Sequence, residues 1–275
     1  MSLRLNTMPS ATHPPVIVST SWDDDSASGL KIAELLSARG LPGTFYVPTW
    51  RLGEGSVFSG SDLRALSANG FEIGAHTISH KILTELELPE LTREVAGCKR
   101  ILQQILGKEV TTFCYPKGRF NARVVQEVER AGYRGARSTQ ILFSGATFPP
   151  YEMPTTVQAY PHHRSNYVRN LIRLGAISAL VKSMPDLISF DNWLQLGKSL
   201  FDRVLRDGGT WHLYGHPWEI EKLNLWSQVK EMLDYVSRRE SVIYLNNGEI
   251  LGRVNPRRED DGEKIVGSRE RSLVN

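Results

Sequence analysis

The stretch Phe71-Glu72-Ile73-Gly74-Ala75-His76-Thr77-Ile78-Ser79-His80 joins a short apolar run to two histidines that lie four positions apart. The apolar run has the length of a buried β-strand and directly follows Gly70, so the sequence predicts a strand over 71–75. Two imidazoles at this spacing can converge on one metal ion. We therefore expect a strand that ends in a pair of metal-binding histidines.

An acidic cluster, Trp22-Asp23-Asp24-Asp25, follows a second apolar run that extends from Val16 to Ser21. A carboxylate from this cluster can complete a ligand set of two imidazoles and one carboxylate. Such a set leaves coordination positions open for water, which is how catalytic metal sites are built. An open metal site with a spare carboxylate beside it is typical of hydrolases.

A strand-then-helix rhythm runs through most of the chain. Seven strands are predicted, over Val16–Thr20, Gly43–Val47, Phe71–Ala75, Thr111–Tyr115, Tyr133–Ala136, Thr210–Tyr214 and Val242–Leu245. Helical patterns separate most of them, and the clearest lies between Pro89 and Gly107, with others over Tyr167–Val181 and Trp193–Arg206. This alternation favours an α/β fold with a mainly parallel sheet, and both a barrel and an open doubly wound sheet fit it.

The chain is expected to form one large domain with short extensions. We expect an N-terminal extension over 1–14, a single domain over 15–254 and a disordered tail over 255–275, because the tail is charged and lacks hydrophobic periodicity. The stretch over 138–165 contains several prolines and is expected to be rich in loops, with His162 either solvated or lining the substrate site.

The bulk composition is that of an ordinary globular protein. The 275 residues are 40% hydrophobic and 23% charged, with a net charge of +3 and no block of like charges, so neither a nucleic-acid partner nor a membrane surface is indicated. The segment over 1–15 lacks the apolar core of a signal peptide and no later stretch reaches membrane-spanning length, so we expect no leader and a cytoplasmic location. Cys98 and Cys114 are expected to be buried free thiols.

Polar residues recur where the predicted strands end. They are Asp23 and Asp24, His76 and His80, Tyr115-Pro116-Lys117-Gly118, and His216. Because sites in barrels and open α/β sheets form at the carboxyl ends of strands, these residues are expected to meet. Alternation places His212 on the same strand face as His216, so either histidine can point into the site.

Four segments resemble the motifs of a known family. Ser21-Trp22-Asp23-Asp24-Asp25 is similar to TFDDG, and His76 to His80 matches H-S/T-x-x-H. Phe113 to Gly118 matches F-x-Y-P-x-G, and Trp211 to Glu219 is similar to a strand that ends in GHxWE. Over roughly Val16 to Arg253 the chain resembles the polysaccharide deacetylases, the NodB-homology group of metal-dependent carbohydrate esterases (carbohydrate esterase family 4).

The resemblance implies a distorted (β/α) barrel of about seven parallel strands, and it assigns roles to the residues at the strand ends. Asp24, His76 and His80 would hold a divalent metal, commonly zinc, with cobalt or nickel tolerated. Asp23 would be the general base, His216 the general acid, and the backbone N–H of Tyr115 would help to hold the oxyanion. Pro116, Trp218 and Arg137 are expected on the substrate side.

The sequence also departs from the family pattern. Asp25 stands where the family usually has glycine, and Cys114 and Lys117 stand where many members have an arginine and an aromatic residue. The family's arginine steadies the base, and Arg137 is our candidate to replace it. The partner that tunes the acid histidine is not evident, with Asp186, Asp191 and Trp193 as candidates.

The function that the resemblance implies is hydrolysis of an N-acetyl (or other N-acyl) group from a sugar or sugar conjugate by metal-activated water. A cytoplasmic sugar intermediate of surface-polysaccharide or glycolipid synthesis is the expected substrate. One alternative keeps the metal site but cleaves an imide, a formamide or an O-acetyl ester. The other is a catalytically inactive carbohydrate-binding protein, which is disfavoured because the expected metal ligands, base and acid are all present, namely Asp23, Asp24, His76, His80 and His216.

Overall fold

The computed structural model describes residues 14–254 except 25, 56, 174–189 and 191. The predicted tail and all but the last residue of the predicted N-terminal extension therefore lie outside the described residues. So do Asp25, Asp186, Asp191 and the part of the predicted helix beyond residue 173. None of the described helices is both long and apolar enough to cross a bilayer.

The described strands form one parallel sheet. They span Val16–Asp23 (β1), Thr44–Val47 (β2), Glu72–Ala75 (β3), Thr112–Cys114 (β4), Gly135–Arg137 (β5), Val157–Gln158 (β6), Gly209–Gly215 (β7) and Val242–Tyr244 (β8). Their order is β5-β4-β3-β2-β1-β7-β6, and β8 pairs with β1. The seven strands of this path curl into an incomplete barrel, which confirms the predicted fold class.

Strand β1 is the centre of the sheet. It pairs with β7 along seven residues, from Val16 opposite Gly209 to Trp22 opposite Gly215. Its other edge is shared, because β8 pairs with its first residues and β2 with its last three. The carboxyl ends of β1, β2 and β7 are thereby locked in register at one end of the barrel.

The stretch over 138–165, predicted to be rich in loops, contains one short strand that the sequence did not predict, β6, which pairs with the carboxyl end of β7. Arg137 and Met153 also form an isolated parallel bridge, so the stretch runs beside β5 before it reaches β6. A strand of two residues is too short to show the alternation that marks strands in a sequence. Its flanking prolines, Pro154 and Pro161, are the stronger local signal.

Helices cover the outside of the sheet. In the described ranges they span Ser28–Ser37 (α1), Gly60–Ala68 (α2), Leu88–Leu106 (α3), Ala122–Arg130 (α4), Arg164–Arg173 (α5), Trp193–Asp207 (α6), Pro217–Lys222 (α7), Trp226–Val236 (α8) and Asn247–Val254 (α9). Helix α3 shows why the sequence specifies them. Pro89 lies in its first turn, Gly107 ends it in a left-handed conformation, and its buried stripe includes Leu91, Val95 and Leu102.

At the amino ends of the strands, one acidic side chain links neighbouring strands through hydrogen bonds. Glu72 on β3 accepts hydrogen bonds from the hydroxyls of Thr44 (2.7 Å) and Thr112 (3.0 Å) and from the N–H of Gly248 (2.9 Å). These contacts tie β2, β3, β4 and α9 together. The opposite, carboxyl end of the barrel is left open, and the polar residues of the sequence motifs lie there.

Candidate active site

Three side chains at the open end form a possible metal-ligand set. Asp24 follows β1, His76 follows β3, and His80 lies four positions after His76. Their ligand atoms all lie within 4.8 Å of one another. The two Nε2 atoms of the histidines are 3.1 Å apart, and His80 Nε2 lies 3.7 Å from Asp24 Oδ1. A tetrahedral ion with bonds of about 2.1 Å needs donors about 3.4 Å apart, so this set fits one such ion.

The tautomer of His76 is fixed by the backbone. Its Nδ1 lies 2.8 Å from the carbonyl oxygen of Cys114, which can only accept, so Nδ1 carries the proton and Nε2 keeps its lone pair. Burial lowers the pKa of His76 to about 4, against the opposing charge of Asp23. The ring is therefore neutral at physiological pH, the form that binds metals.

The loop from 76 to 80 is held from outside by Glu94 of α3. This buried carboxylate accepts from the N–H (2.8 Å) and the hydroxyl (2.7 Å) of Ser79. Within the loop, the N–H of His80 donates to the Thr77 hydroxyl (2.9 Å). Thr77 and His80 both have positive φ, at 68° and 56°, as does Asp24 at 72°. Such backbone costs about 1–2 kcal/mol per residue and is characteristically found at functional sites.

Asp23, the expected base, lies beside the ligand set and is 3% exposed. Its Oδ2 pairs with the guanidinium of Arg137, whereas its Oδ1 has no hydrogen-bond partner among the described residues. Burial by itself would raise the pKa of Asp23, but the charges of Arg137, His76 and His216 outweigh it, so the pKa is lowered. The carboxylate is therefore ionised at neutral pH with one oxygen free to accept.

Arg137 is fully buried at the end of β5. Besides Asp23, its Nη2 contacts the Cys114 sulfur (2.9 Å), and its guanidinium lies over the rings of Tyr46 (5.4 Å) and Tyr214 (4.7 Å). The structure thus places Arg137 in contact with Asp23, as the sequence analysis anticipated for a residue that steadies the base. Since none of its side chain is exposed, it does not line the substrate side.

His216 approaches Asp23 from β7. Its Nε2 lies 3.8 Å from Asp23 Oδ2, and its Nδ1 donates to Glu219 Oε2 at 2.7 Å. Burial lowers the pKa of His216, but the hydrogen bond to Glu219 and the charges of Asp23 and Asp24 prevail and raise it. In the sequence, Glu219 is the last residue of the segment similar to GHxWE. The feature that could have identified it as the partner of His216 is the i,i+3 spacing of the two residues across the start of a helix.

Strand β6, which the sequence did not predict, carries a side chain that contacts Glu219. Gln158 on β6 donates from its Nε2 to Glu219 Oε2 (3.3 Å). Its Oε1 lies 2.6 Å from both the Tyr214 hydroxyl, which donates to it, and His162 Nε2. One amide side chain therefore connects β6, β7 and α7 beside the expected acid.

His212 is buried deeper in the barrel. Four residues of strand separate it from His216, or about 13 Å. Its Nε2 lies 2.8 Å from the Ser21 hydroxyl and its Nδ1 3.2 Å from the Pro154 carbonyl, so both nitrogens are engaged. Burial, with the charge of Arg137, lowers its pKa to about 3. This geometry favours His216 over His212 as the proton donor.

The remaining predicted residues have mixed placements. The N–H of Tyr115 donates to the Arg137 carbonyl at 3.3 Å, so it already has an acceptor. Pro116 is buried in the turn that follows β4. Trp218 is 42% exposed, and its indole N–H donates to Asp24 Oδ2 at 2.8 Å. Trp193, a candidate for tuning the acid histidine, is buried at the start of α6 and does not line the site cavity.

A cavity of about 390 Å³ lies over these groups. Its floor contains Asp23, His76, His80 and His216. Its upper wall is formed by Lys117, Thr139, Ile141, Gln158, His162, Asn166, Arg169 and Asn170. His162 was expected at the substrate site, but the contribution of α5 was not predicted. A helical pattern in the sequence does not show whether the helix lines a site.

The sequence of this chain is similar to a family model and to known proteins over part of its length. A family model described as polysaccharide deacetylase matches residues 10–136, which include Asp23, Asp24, His76 and His80 but not His216. YxkH of Bacillus subtilis, provisionally described as a polysaccharide deacetylase, is 24% identical over 106 residues, 38% of either chain. A chitin deacetylase of Pestalotiopsis is 29% identical over 136 residues, 48% of this chain and 44% of that protein. The chain thus matches less than half the length of these relatives.

Solved structures share the fold at low identity. One from Mycobacterium smegmatis, provisionally described as a polysaccharide deacetylase, has a TM-score of 0.60 at 13% identity, over 90% of this chain and 92% of that one. The Xyl-CE4 domain of a xylanase from the hindgut metagenome of Trinervitermes trinervoides has a TM-score of 0.54 at 12% identity, over 88% and 94%. A CE4 family pseudoenzyme from Bacillus anthracis has a TM-score of 0.51 at 15% identity, over 86% and 65%.

Proposed function

Because the resemblance of this chain to the polysaccharide deacetylase family is confirmed in sequence and in fold, we propose that it is a metal-dependent hydrolase that removes an N-acetyl or related N-acyl group from a sugar or sugar conjugate. One observation carries the proposal. An ionised carboxylate with a free oxygen, an imidazole with a raised pKa and the two histidines of a metal-type donor set line the same cavity.

Asp24, His76 and His80 are the residues that would hold the metal. Their donor atoms have the separations that one tetrahedral ion requires, and two imidazoles with one carboxylate suit zinc first, with cobalt or nickel as substitutes. When bound, a divalent ion supplies a Lewis acid for the acyl carbonyl and acidifies water. The Trp218 indole keeps Asp24 oriented, and the Cys114 carbonyl keeps His76 oriented.

Asp23 is the proposed general base. Asp23 lines the cavity and its Oδ1 has no partner among the described residues, so this oxygen is available to take a proton from the attacking water. Arg137 holds the other oxygen and keeps the group ionised and fixed in place.

His216 is the proposed general acid. The amine that leaves when the C–N bond breaks must gain a proton, and the Nε2 of a protonated imidazole can donate it. Glu219 accepts from Nδ1, which fixes the ring orientation and stabilises the protonated form. The oxyanion role that the family resemblance assigns to the Tyr115 N–H requires that its long hydrogen bond to the Arg137 carbonyl be exchanged for the substrate.

The location proposed for this activity is the cytoplasm. Both cysteines, Cys98 and Cys114, are buried and free, which suits a reducing compartment.

The proposal is tested by metal content and acyl release on the same preparations. We expect about one divalent ion per chain in the protein and in Asp23→Asn, and none in His76→Ala/His80→Ala. Acetate release from N-acetyl sugars should fall at least 100-fold in Asp23→Asn, since a general base contributes about 10²–10⁴-fold. Full activity in Asp23→Asn would show that another group is the base.

A substrate panel separates the alternative reactions. The same residues could act on N-formyl, imide or O-acetyl groups, so each is assayed beside the N-acetyl sugar with the metal-loaded protein. Turnover of one of these in preference to the N-acetyl sugar would reassign the bond. Metal binding with no turnover of the panel would favour a carbohydrate-binding protein.

A further inference from the structure

The wall of the cavity carries two basic side chains that the proposed chemistry does not use. Lys117 lies in the turn that follows β4, and Arg169 lies on α5. Both side chains are exposed, and both line the cavity that holds Asp23 and His216. We infer that the substrate is an N-acyl sugar that bears an anionic group, a phosphate or a carboxylate, which Lys117 and Arg169 bind. This inference rests on the function proposed above.

The charge balance of the cavity supports an anionic ligand. Asp23 is the one carboxylate among the lining residues that the structure describes, and Arg137 already neutralises it from behind. Neither Lys117 nor Arg169 has an ion pair or hydrogen bond to a side chain in the described ranges. The wall therefore offers two uncompensated cations. A phosphate or carboxylate can accept charge-assisted hydrogen bonds from both, with a guanidinium able to bind either group through two N–H donors.

The backbone of Lys117 is in a strained conformation. Its φ and ψ are 55° and 16°, the left-handed region that glycine or asparagine adopts with less strain. A lysine in such a position gains nothing from local backbone energetics. Strained residues at a cavity are characteristic of ligand contacts, and here the strain directs a long cationic side chain along the cavity wall.

Arg169 lies on α5, a helix that hydrogen bonds attach to a neighbouring segment of the chain. The adjacent Asn170 donates to the Thr139 carbonyl (3.0 Å) and accepts from the N–H of Ile141 (3.4 Å). These contacts attach α5 to the segment that follows β5, beside Arg137. Arg169 is thus held at the wall of the cavity that Asp23 and His216 also line. An uncharged N-acetyl sugar would leave both cations without a partner.

The test compares matched sugars with the metal-loaded protein. The probes are N-acetylglucosamine, its 1- and 6-phosphates, and the corresponding 6-carboxylate. We expect kcat/KM for at least one charged probe to exceed that for the neutral sugar about tenfold, and the phosphate and carboxylate arms identify the group. Arg169→Gln and Lys117→Gln should each reduce this preference several-fold, and the double variant should reduce it below about twofold. Arg64→Gln, an exposed arginine on α2, should keep it.

The outcomes separate the inference from the proposed function. Equal turnover of all probes, unchanged in the double variant, overturns the anion site but leaves the hydrolase intact. If no probe is turned over, the proposed function fails. Calorimetric titration of the same probes then still tests whether Lys117 and Arg169 bind an anionic group. Tighter binding of a charged probe that the double variant loses supports it, and equal or absent binding refutes it.

Discussion

Replacing Glu219 with glutamine removes one negative charge from beside His216 with little change in shape. The wild-type carboxylate accepts from His216 Nδ1 at 2.7 Å, and the side chains of His216 and Glu219 are 22% and 16% exposed. A charge-assisted hydrogen bond contributes about 1.5–3 kcal/mol. Because water reaches both groups, we take the lower end, about 1.5 kcal/mol, which is roughly tenfold in the rate constant.

The direction of the pH effect follows from the raised pKa of His216. The acid form is present below that pKa, so activity is lost as pH rises through it. Without the charge of Glu219 the pKa falls, and the loss begins at lower pH. The assay is kcat/KM for acyl release between pH 5 and 10, in which Glu219→Gln should move the alkaline limb downward and reduce the rate about tenfold at neutral pH.

Glu221→Gln is the matched control, because Glu221 lies on the same helix but accepts from the Trp226 indole (2.9 Å). Its alkaline limb should coincide with that of the wild type. If Glu219→Gln lowers the rate equally at every pH and leaves the limb in place, Glu219 is a structural residue and the reasoning about the acid is refuted.

Three further substitutions test other parts of the site. Arg137→Met leaves Asp23 buried without its partner, so unfolding in urea at pH 7 should show a loss of about 3–5 kcal/mol. Because Arg137 lowers the pKa of Asp23 and burial alone raises it, this loss should shrink as pH falls from the higher pKa of Asp23 in the variant towards its lowered pKa in the wild type, and a constant loss would contradict it. Glu94→Gln should weaken metal affinity about 10–100-fold in a competition titration while Glu90→Gln does not, and equal affinity in both would remove Glu94 from the site. His212→Asn should lower the melting temperature without moving the alkaline limb, and a moved limb would make His212 the acid.

The sequence predicts that the polar residues on the floor of the cavity lie together, because these residues follow strands. An apolar run that ends at Asp23 or His76 reveals both the strand and the polar residue at its end, and parallel strands bring those ends together. Even the contact of Arg137 with Asp23 was accessible in this way, because Arg137 closes a predicted strand. The apolar runs and the positions of these residues at strand ends were sufficient to predict where they lie.

The wall of the cavity was not accessible in the same way. Strand β6 has two residues, so no alternation marks it, and its Gln158 is informative only once β7 and α7 are beside it. Arg169 and Lys117 look like any solvated basic residues in a sequence. Their common cavity arises from the packing of α5 against the segment after β5, which is a long-range contact that no local pattern encodes.

The pairing of β1 with β7 has a consequence for how activity is acquired during folding. The proposed metal ligands and the proposed base all lie within the first 80 residues. The proposed acid, His216, follows β7, which pairs with β1 although the paired residues are some 190 positions apart in the sequence. Closing such a long loop is slow compared with local pairing. A chain in which β7 has not yet docked can therefore hold metal before it can turn over substrate, and metal uptake and catalytic recovery should separate in time when the denatured protein refolds.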